Sequence, residues 1–133
     1  MEKLEHIGIA VKNLSDANRL FGQLLGRDHY KTEEVESEGV RTSFFEVSGV
    51  KIELLEATRP DSPIATFIEK RGEGIHHLAF EVSDIDKSLM EYKEKGFRLI
   101  NESPKAGADN KRIAFLHPKS TNGVLIELCQ ENQ

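Results

Sequence analysis

The sequence predicts an α+β fold built from two βαβββ modules with curved mixed sheets. Three observations carry that reading. First, the stretch Glu5–Val11 and the stretch His76–Val82 are alike: setting His6 on His77 also sets Ile7 on Leu78, Ala10 on Glu81 and Val11 on Val82. Second, each of these strand-like stretches is followed by a helical pattern and then by further strand-like stretches. Third, each half ends on an apolar strand with one glutamate inside it, Glu53 in the first and Glu127 in the second. The two histidines are 71 residues apart and the two glutamates 74, so the second half carries about three extra residues.

Taken in order, residues 3–11 alternate well enough for a strand, which Lys12 and Asn13 end. Asn13 or Ser15 can cap a helix whose apolar positions are Leu14, Ala17, Leu20, Phe21, Leu24 and Leu25, one face at helical spacing. Gly26 stops it. Residues 28–35 read as a strand with His29 and Tyr30 near its start. Glu33, Glu34, Glu36 and Glu38 crowd the turn before Gly39, a charge run that reads as a solvated loop. Residues 40–47 and 50–57 form a hairpin around Ser48 and Gly49. In its second strand Glu53 shares a face with Lys51 and Leu55, while Ile52, Leu54 and Glu56 take the other. Residues 62–70 suit a short connector helix, with Ser62 as cap and Pro63 in the first turn.

The second module starts with a strand over 75–83. Asp84 caps a helix through Ile85, Leu89 and Tyr92, stopped by Gly96. A strand over 97–101, a breaker-rich loop over 103–110 and strands over 111–117 and 123–129 complete the order. The chain of 133 residues then forms a single domain, with modules at about 1–58 and 74–133 joined by the 62–70 helix.

Composition excludes several function classes. Hydrophobic residues are 38% and charged residues 31%, as in a globular chain. The net charge of -5 and the lack of a basic patch argue against nucleic acid as a partner. Cys129 is the single cysteine, which excludes an internal disulfide and fits a reducing compartment. The N-terminus has no apolar run, so no signal peptide or membrane span is expected, and the cytoplasm is the default location.

Chemistry is indicated by His6, Glu53, His77 and Glu127. Side chains alternate along a strand, so only one of His76 and His77 can face a given cavity. A buried carboxylate is costly unless paired, hydrogen-bonded or on a metal. Two imidazoles and two carboxylates from symmetric halves suit a divalent ion with open positions.

On Glu5–Val11, Ile52–Glu56, Gly72–Phe80, Phe115–Ser120 and Gly123–Leu128, the sequence resembles the vicinal-oxygen-chelate superfamily of glyoxalase I and the extradiol dioxygenases, and within it the methylmalonyl-CoA epimerase family. The likeness runs nearly end to end. The histidine strands are shared across the superfamily. The Gly-Glu-Gly-Ile-His-His block and the His-Pro-Lys-Ser turn are more specific to the epimerases.

The resemblance implies a metal-dependent epimerase that interconverts (R)- and (S)-methylmalonyl-CoA by proton abstraction at C2 through a metal-stabilised enolate. It implies His6, Glu53, His77 and Glu127 as ligands of a divalent ion, Co2+ foremost, with Mn2+, Ni2+, Zn2+ or Mg2+ as alternatives. Glu127 and then Glu53 are its catalytic bases, and His76 is structural. Some epimerases carry a glutamate just after the Gly-Val pair of the third strand. Here Thr42 stands there, and Arg41 points to the wrong face. Lys119, Ser120 and Arg112, with Lys111, are candidate contacts to the CoA thioester substrate. A homodimer is expected, because sheet edges are normally covered. The competing readings are a glyoxalase-I-like lyase and a non-catalytic ligand-binding protein of the same fold.

Overall fold

A computed structural model of the chain describes residues 1–132. Its described residues form two compact units, His6–His76 and a second made of Met1–Glu5 with the chain from His77 onward. In chain order the elements of the first are β1 (Lys3–Ala10), α1 (Leu14–Leu25), β2 (Lys31–Val35), β3 (Val40–Val47), β4 (Val50–Ala57) and α2 (Pro63–Arg71). Those of the second are β5 (Gly74–Glu81), α3 (Ile85–Glu94), β6 (Lys105–Gly107), β7 (Lys111–Leu116) and β8 (Ile126–Glu131). The first strand of each set straddles the unit boundary. Short 3-10 turns cover Glu36–Glu38 and Pro118–Ser120. Among the described residues, no helix is long and apolar enough to cross a membrane.

The strand order is β2-β3-β4-β1 in the first unit and β5-β8-β7-β6 in the second. Both sets are mixed. β1 runs parallel to β4 with Gly8 beside Glu53, and β3 runs antiparallel to β4 with Phe44 opposite Glu53. β5 runs parallel to β8 with Ala79 beside Glu127, and β7 runs antiparallel to β8 with Phe115 opposite Glu127. The α+β class and the repeated βαβββ order therefore hold.

The helices α1 and α3 are fastened at their starts in the same way. Asn13 accepts from the Asp16 N–H and Asp84 from the Lys87 N–H, each an N-cap side chain on a first-turn donor. A side chain from the last strand of the same module takes the first N–H of the helix. Glu56 Oε2 accepts from the Leu14 N–H at 2.9 Å, and Gln130 Oε1 accepts from the Ile85 N–H at 2.8 Å. Beneath α1 the core is Val11, Leu14, Ala17, Phe45 and Leu54. Beneath α3 it is Val82, Ile85, Leu89, Ala114 and Leu128. Because these clusters take the Leu54 and Leu128 faces of the strands, Glu53 and Glu127 are left on the opposite faces.

Four expectations change. The buried stripe of α1 is narrower than the apolar spacing suggests: Leu20 is 61% and Leu24 70% exposed. The strand β2 starts later than expected, at Lys31, and includes Glu33 and Glu34. Residues 97–101 make only an isolated bridge between Leu99 and Leu116. The Asn101 side chain accepts the Phe115 N–H at 2.9 Å, so the ladder there ends on a side chain, and the second strand of that module forms at Lys105–Gly107 inside the expected loop. The last strand begins at Ile126, not 123, because Asn122 and Gly123 take positive φ of 57 and 85° in a turn that delays it.

Candidate active site

The sequence places a histidine and a glutamate on adjacent parallel strands of each unit, and the fold buries both pairs. In the first unit His6 Nδ1 lies 3.1 Å from Glu53 Oε2, with side chains 6% and 5% exposed. In the second, His77 Nε2 lies 3.3 Å from Glu127 Oε1, with both side chains 6% exposed. These separations suit donors to a common ion: two atoms at right angles on an ion with bonds of about 2.1 Å stand about 3 Å apart. The donor set of imidazole and carboxylate is also one that divalent ions accept. Each pair therefore fits two ligands of a metal site.

The neighbours of each pair repeat too. Phe44 stands directly across from Glu53, and Phe115 directly across from Glu127. The Lys31 ammonium lies over the Phe44 ring, 4.6 Å from its centroid, and Tyr30 tilts against the same ring at 6.1 Å. In the second unit the Lys105 ammonium is 6.0 Å from the Phe115 centroid, and the His77 ring meets Phe115 edge to face at 5.9 Å. Sequence reasoning missed these rings. The signal was available, because Phe44 and Phe115 are 71 residues apart, the interval that separates His6 from His77.

His76 points away from His77. It meets Phe67 of α2 edge to face at 4.9 Å, and burial pushes its pKa down to about 4, so the ring is neutral at ordinary pH. The structural reading of His76 thus has a named partner. Arg41 is exposed and pairs with Glu34 at 2.7 Å and Glu56 at 3.4 Å, whereas Thr42 is buried on the face that carries Glu53.

The basic candidates separate. Lys111 is not on an open surface: its side chain is 4% exposed, with Glu131 at 3.3 Å and Glu5 at 3.9 Å. Arg112 alternates to the α3 side of β7 and pairs with Asp86 at 3.0 Å, on the face opposite Glu127. Lys119 is exposed, and its backbone N–H donates to His117 Nδ1 at 3.0 Å. Ser120 Oγ accepts the Arg98 N–H at 2.8 Å, which leaves the hydroxyl proton for another acceptor. His117 caps this turn, and its pKa is lowered by burial and by the nearby Arg98 and Lys119 charges. The Cys129 thiol is buried, and burial with the Glu127 and Glu5 carboxylates pushes its pKa up, so it is a poor nucleophile.

Residues 5–115 match the Glyoxalase/Bleomycin resistance protein/Dioxygenase superfamily. The chain is also 40% identical over 130 residues to an ethylmalonyl-CoA/methylmalonyl-CoA epimerase of Cereibacter sphaeroides, covering 96% of this chain and 97% of that one. It belongs to the methylmalonyl-CoA epimerase family of this superfamily. Solved structures agree. A methylmalonyl-CoA epimerase from Mycobacterium tuberculosis superposes with a TM-score of 0.93 at 38% identity, over 98% of this chain and 88% of that chain. A variant of the Streptomyces coelicolor epimerase in complex with 2-nitronate-propionyl-CoA superposes with a TM-score of 0.92 at 35% identity, over 98% and 95%. The vicinal-oxygen-chelate fold expected from the epimerase family is thereby established for this chain.

Proposed function

We propose that the protein epimerises methylmalonyl-CoA at C2 by a two-carboxylate proton transfer, with His6, Glu53, His77 and Glu127 holding one divalent ion, Co2+ foremost. The observation that carries the reading is the repeated buried imidazole–carboxylate pair, His6 with Glu53 and His77 with Glu127. Membership of the epimerase family supplies the substrate. The ion, when bound, neutralises charge that develops on the substrate oxygens as the C2 proton leaves.

Glu127 takes the proton from C2, and Glu53 delivers one to the opposite face of the planar enolate. After one turnover Glu127 is protonated and Glu53 is ionised, so the enzyme is set for the reverse direction. Thr42 cannot serve in place of Glu53, because a hydroxyl is far too weak a base at neutral pH. Ser120 can donate its hydroxyl proton to the substrate carboxylate, and Lys119 can offer its ammonium to an anionic group of CoA. Arg112, on the face of β7 opposite Glu127, is the candidate for the CoA diphosphate, for which it would have to leave Asp86. The substrate is a small molecule, and the protein works as a homodimer in a reducing, cytoplasmic setting, which the buried lone thiol suits.

Incubation with methylmalonyl-CoA in deuterated water, read by mass spectrometry, tests this. The wild type should place one deuterium at C2. Glu127→Gln and Glu53→Gln should keep metal and lose roughly 10²-fold or more in rate, the scale of a lost general base. Near wild-type exchange by metal-loaded Glu127→Gln would remove Glu127 as a base. Turnover of a hemithioacetal without C2 exchange would point to a lyase. A purified protein free of stoichiometric metal would point to a ligand-binding role. A monomeric mass at micromolar concentration would remove the dimer.

A further inference from the structure

We infer that Phe115 sets the size of the 2-substituent that the site accepts, and so determines the choice among 2-alkylmalonyl thioesters. The inference rests on Glu127 as the base proposed above. A carbon whose proton is taken by Glu127 must lie within hydrogen-bond reach of that carboxylate. Phe115 is the residue directly opposite Glu127 on β7, and opposite residues on one sheet face have Cβ atoms only about 5 Å apart. The alkyl group on C2 is one bond further out. The ring beside Glu127 is therefore a near apolar wall for it.

Two further observations place Phe115 in that role. Its ring meets the His77 imidazole edge to face at 5.9 Å, so it borders both members of the pair. It also keeps part of its surface open, while Ala79, Ile113 and Cys129 pack behind it. The repeat supplies an internal contrast. Phe44 has the same relation to Glu53 but is 0% exposed, covered by Lys31 at 4.6 Å and by Tyr30. Phe44 is closed off, whereas Phe115, with the Lys105 ammonium farther away at 6.0 Å from its centroid, keeps part of its surface exposed.

The test compares kcat/KM for C2 deuterium exchange with the 2-methyl and the 2-ethyl thioester. Phe115→Leu should raise the ethyl-to-methyl ratio about tenfold or more, since one methylene in a hydrophobic pocket is worth roughly 10- to 200-fold. Phe115→Trp should lower it below wild type. Phe44→Leu, which alters a covered ring, should leave the ratio where it is. A ratio within twofold of wild type in Phe115→Leu, with circular dichroism and metal content retained, overturns the inference. Should Phe115→Leu not fold, an unchanged ratio in Phe115→Trp overturns it equally. If the wild type exchanges neither thioester, the epimerase reading itself fails and this inference falls with it; if the wild type exchanges and only the ratio stays fixed, the inference alone is wrong.

Discussion

Replacing Glu56 by alanine removes a carboxylate that ties β4 to the start of α1. Its Oε2 accepts the Leu14 N–H at 2.9 Å and its Oε1 lies 3.4 Å from Arg41, with the side chain 21% exposed. A hydrogen bond to a charged group is worth about 1.5–3 kcal/mol, and partial exposure puts this one in the lower half of that range. The helix N-terminus adds a few tenths of a kcal/mol for a negative charge. The expected loss is about 2 kcal/mol. Glu56→Gln keeps an acceptor and loses the charge, so about 0.5–1 kcal/mol is expected. The related neutral cap gives a built-in comparison: Gln130→Ala should cost about 1 kcal/mol through the Ile85 N–H. Urea unfolding measures these differences globally. Amide hydrogen exchange measures them locally, where 2 kcal/mol corresponds to about 30-fold faster exchange at Leu14 and 1 kcal/mol to about fivefold at Ile85. A Leu14 amide that exchanges within twofold of wild type in Glu56→Ala would refute the reasoning.

Three other outcomes are expected. His77→Ala should lose most bound metal because it removes a ligand, while His76→Ala should keep it because that ring faces Phe67; elemental analysis after dialysis separates the two. His117 has a pKa below its ordinary 6.5, so its capping contribution is present above that value and is lost as pH falls through the lowered one; the Lys119 amide should then lose protection in acid, and pH-independent protection there would contradict the cap. Gly107→Ala should destabilise by about 1–3 kcal/mol, because its Cβ would sit 2.8 Å from Ile113 Cδ1 and 2.9 Å from Cγ2; an unchanged urea midpoint would show that Ile113 yields freely.

What was legible in the sequence was whatever depended on local periodicity. Strand parity separated His77 from His76 and Glu53 from its neighbours, because alternation is fixed by the pleat. The caps at Asn13, Ser62 and Asp84 were legible because capping chemistry is confined to a few residues. What failed depended on partners distant in sequence. Residues 97–101 have strand-like composition, yet Asn101 takes a ladder donor with its side chain and Lys105–Gly107 pairs with β7 instead. Lys111 was a candidate CoA contact, but it is buried beside Glu5, far upstream in the chain. The 71-residue interval between Phe44 and Phe115 hinted at a matched pair, but the place of Phe115 across from Glu127 needed the register.

The buried thiol has a practical consequence. Cys129 lies on β8 with no exposed surface, and its Sγ donates to the Phe80 carbonyl at 3.6 Å. A maleimide or alkylating reagent can reach it only when β8 separates from its neighbours. Since no other cysteine competes for the label, the rate of modification is a clock for the opening of that strand, readable on untouched wild-type protein without any inserted probe.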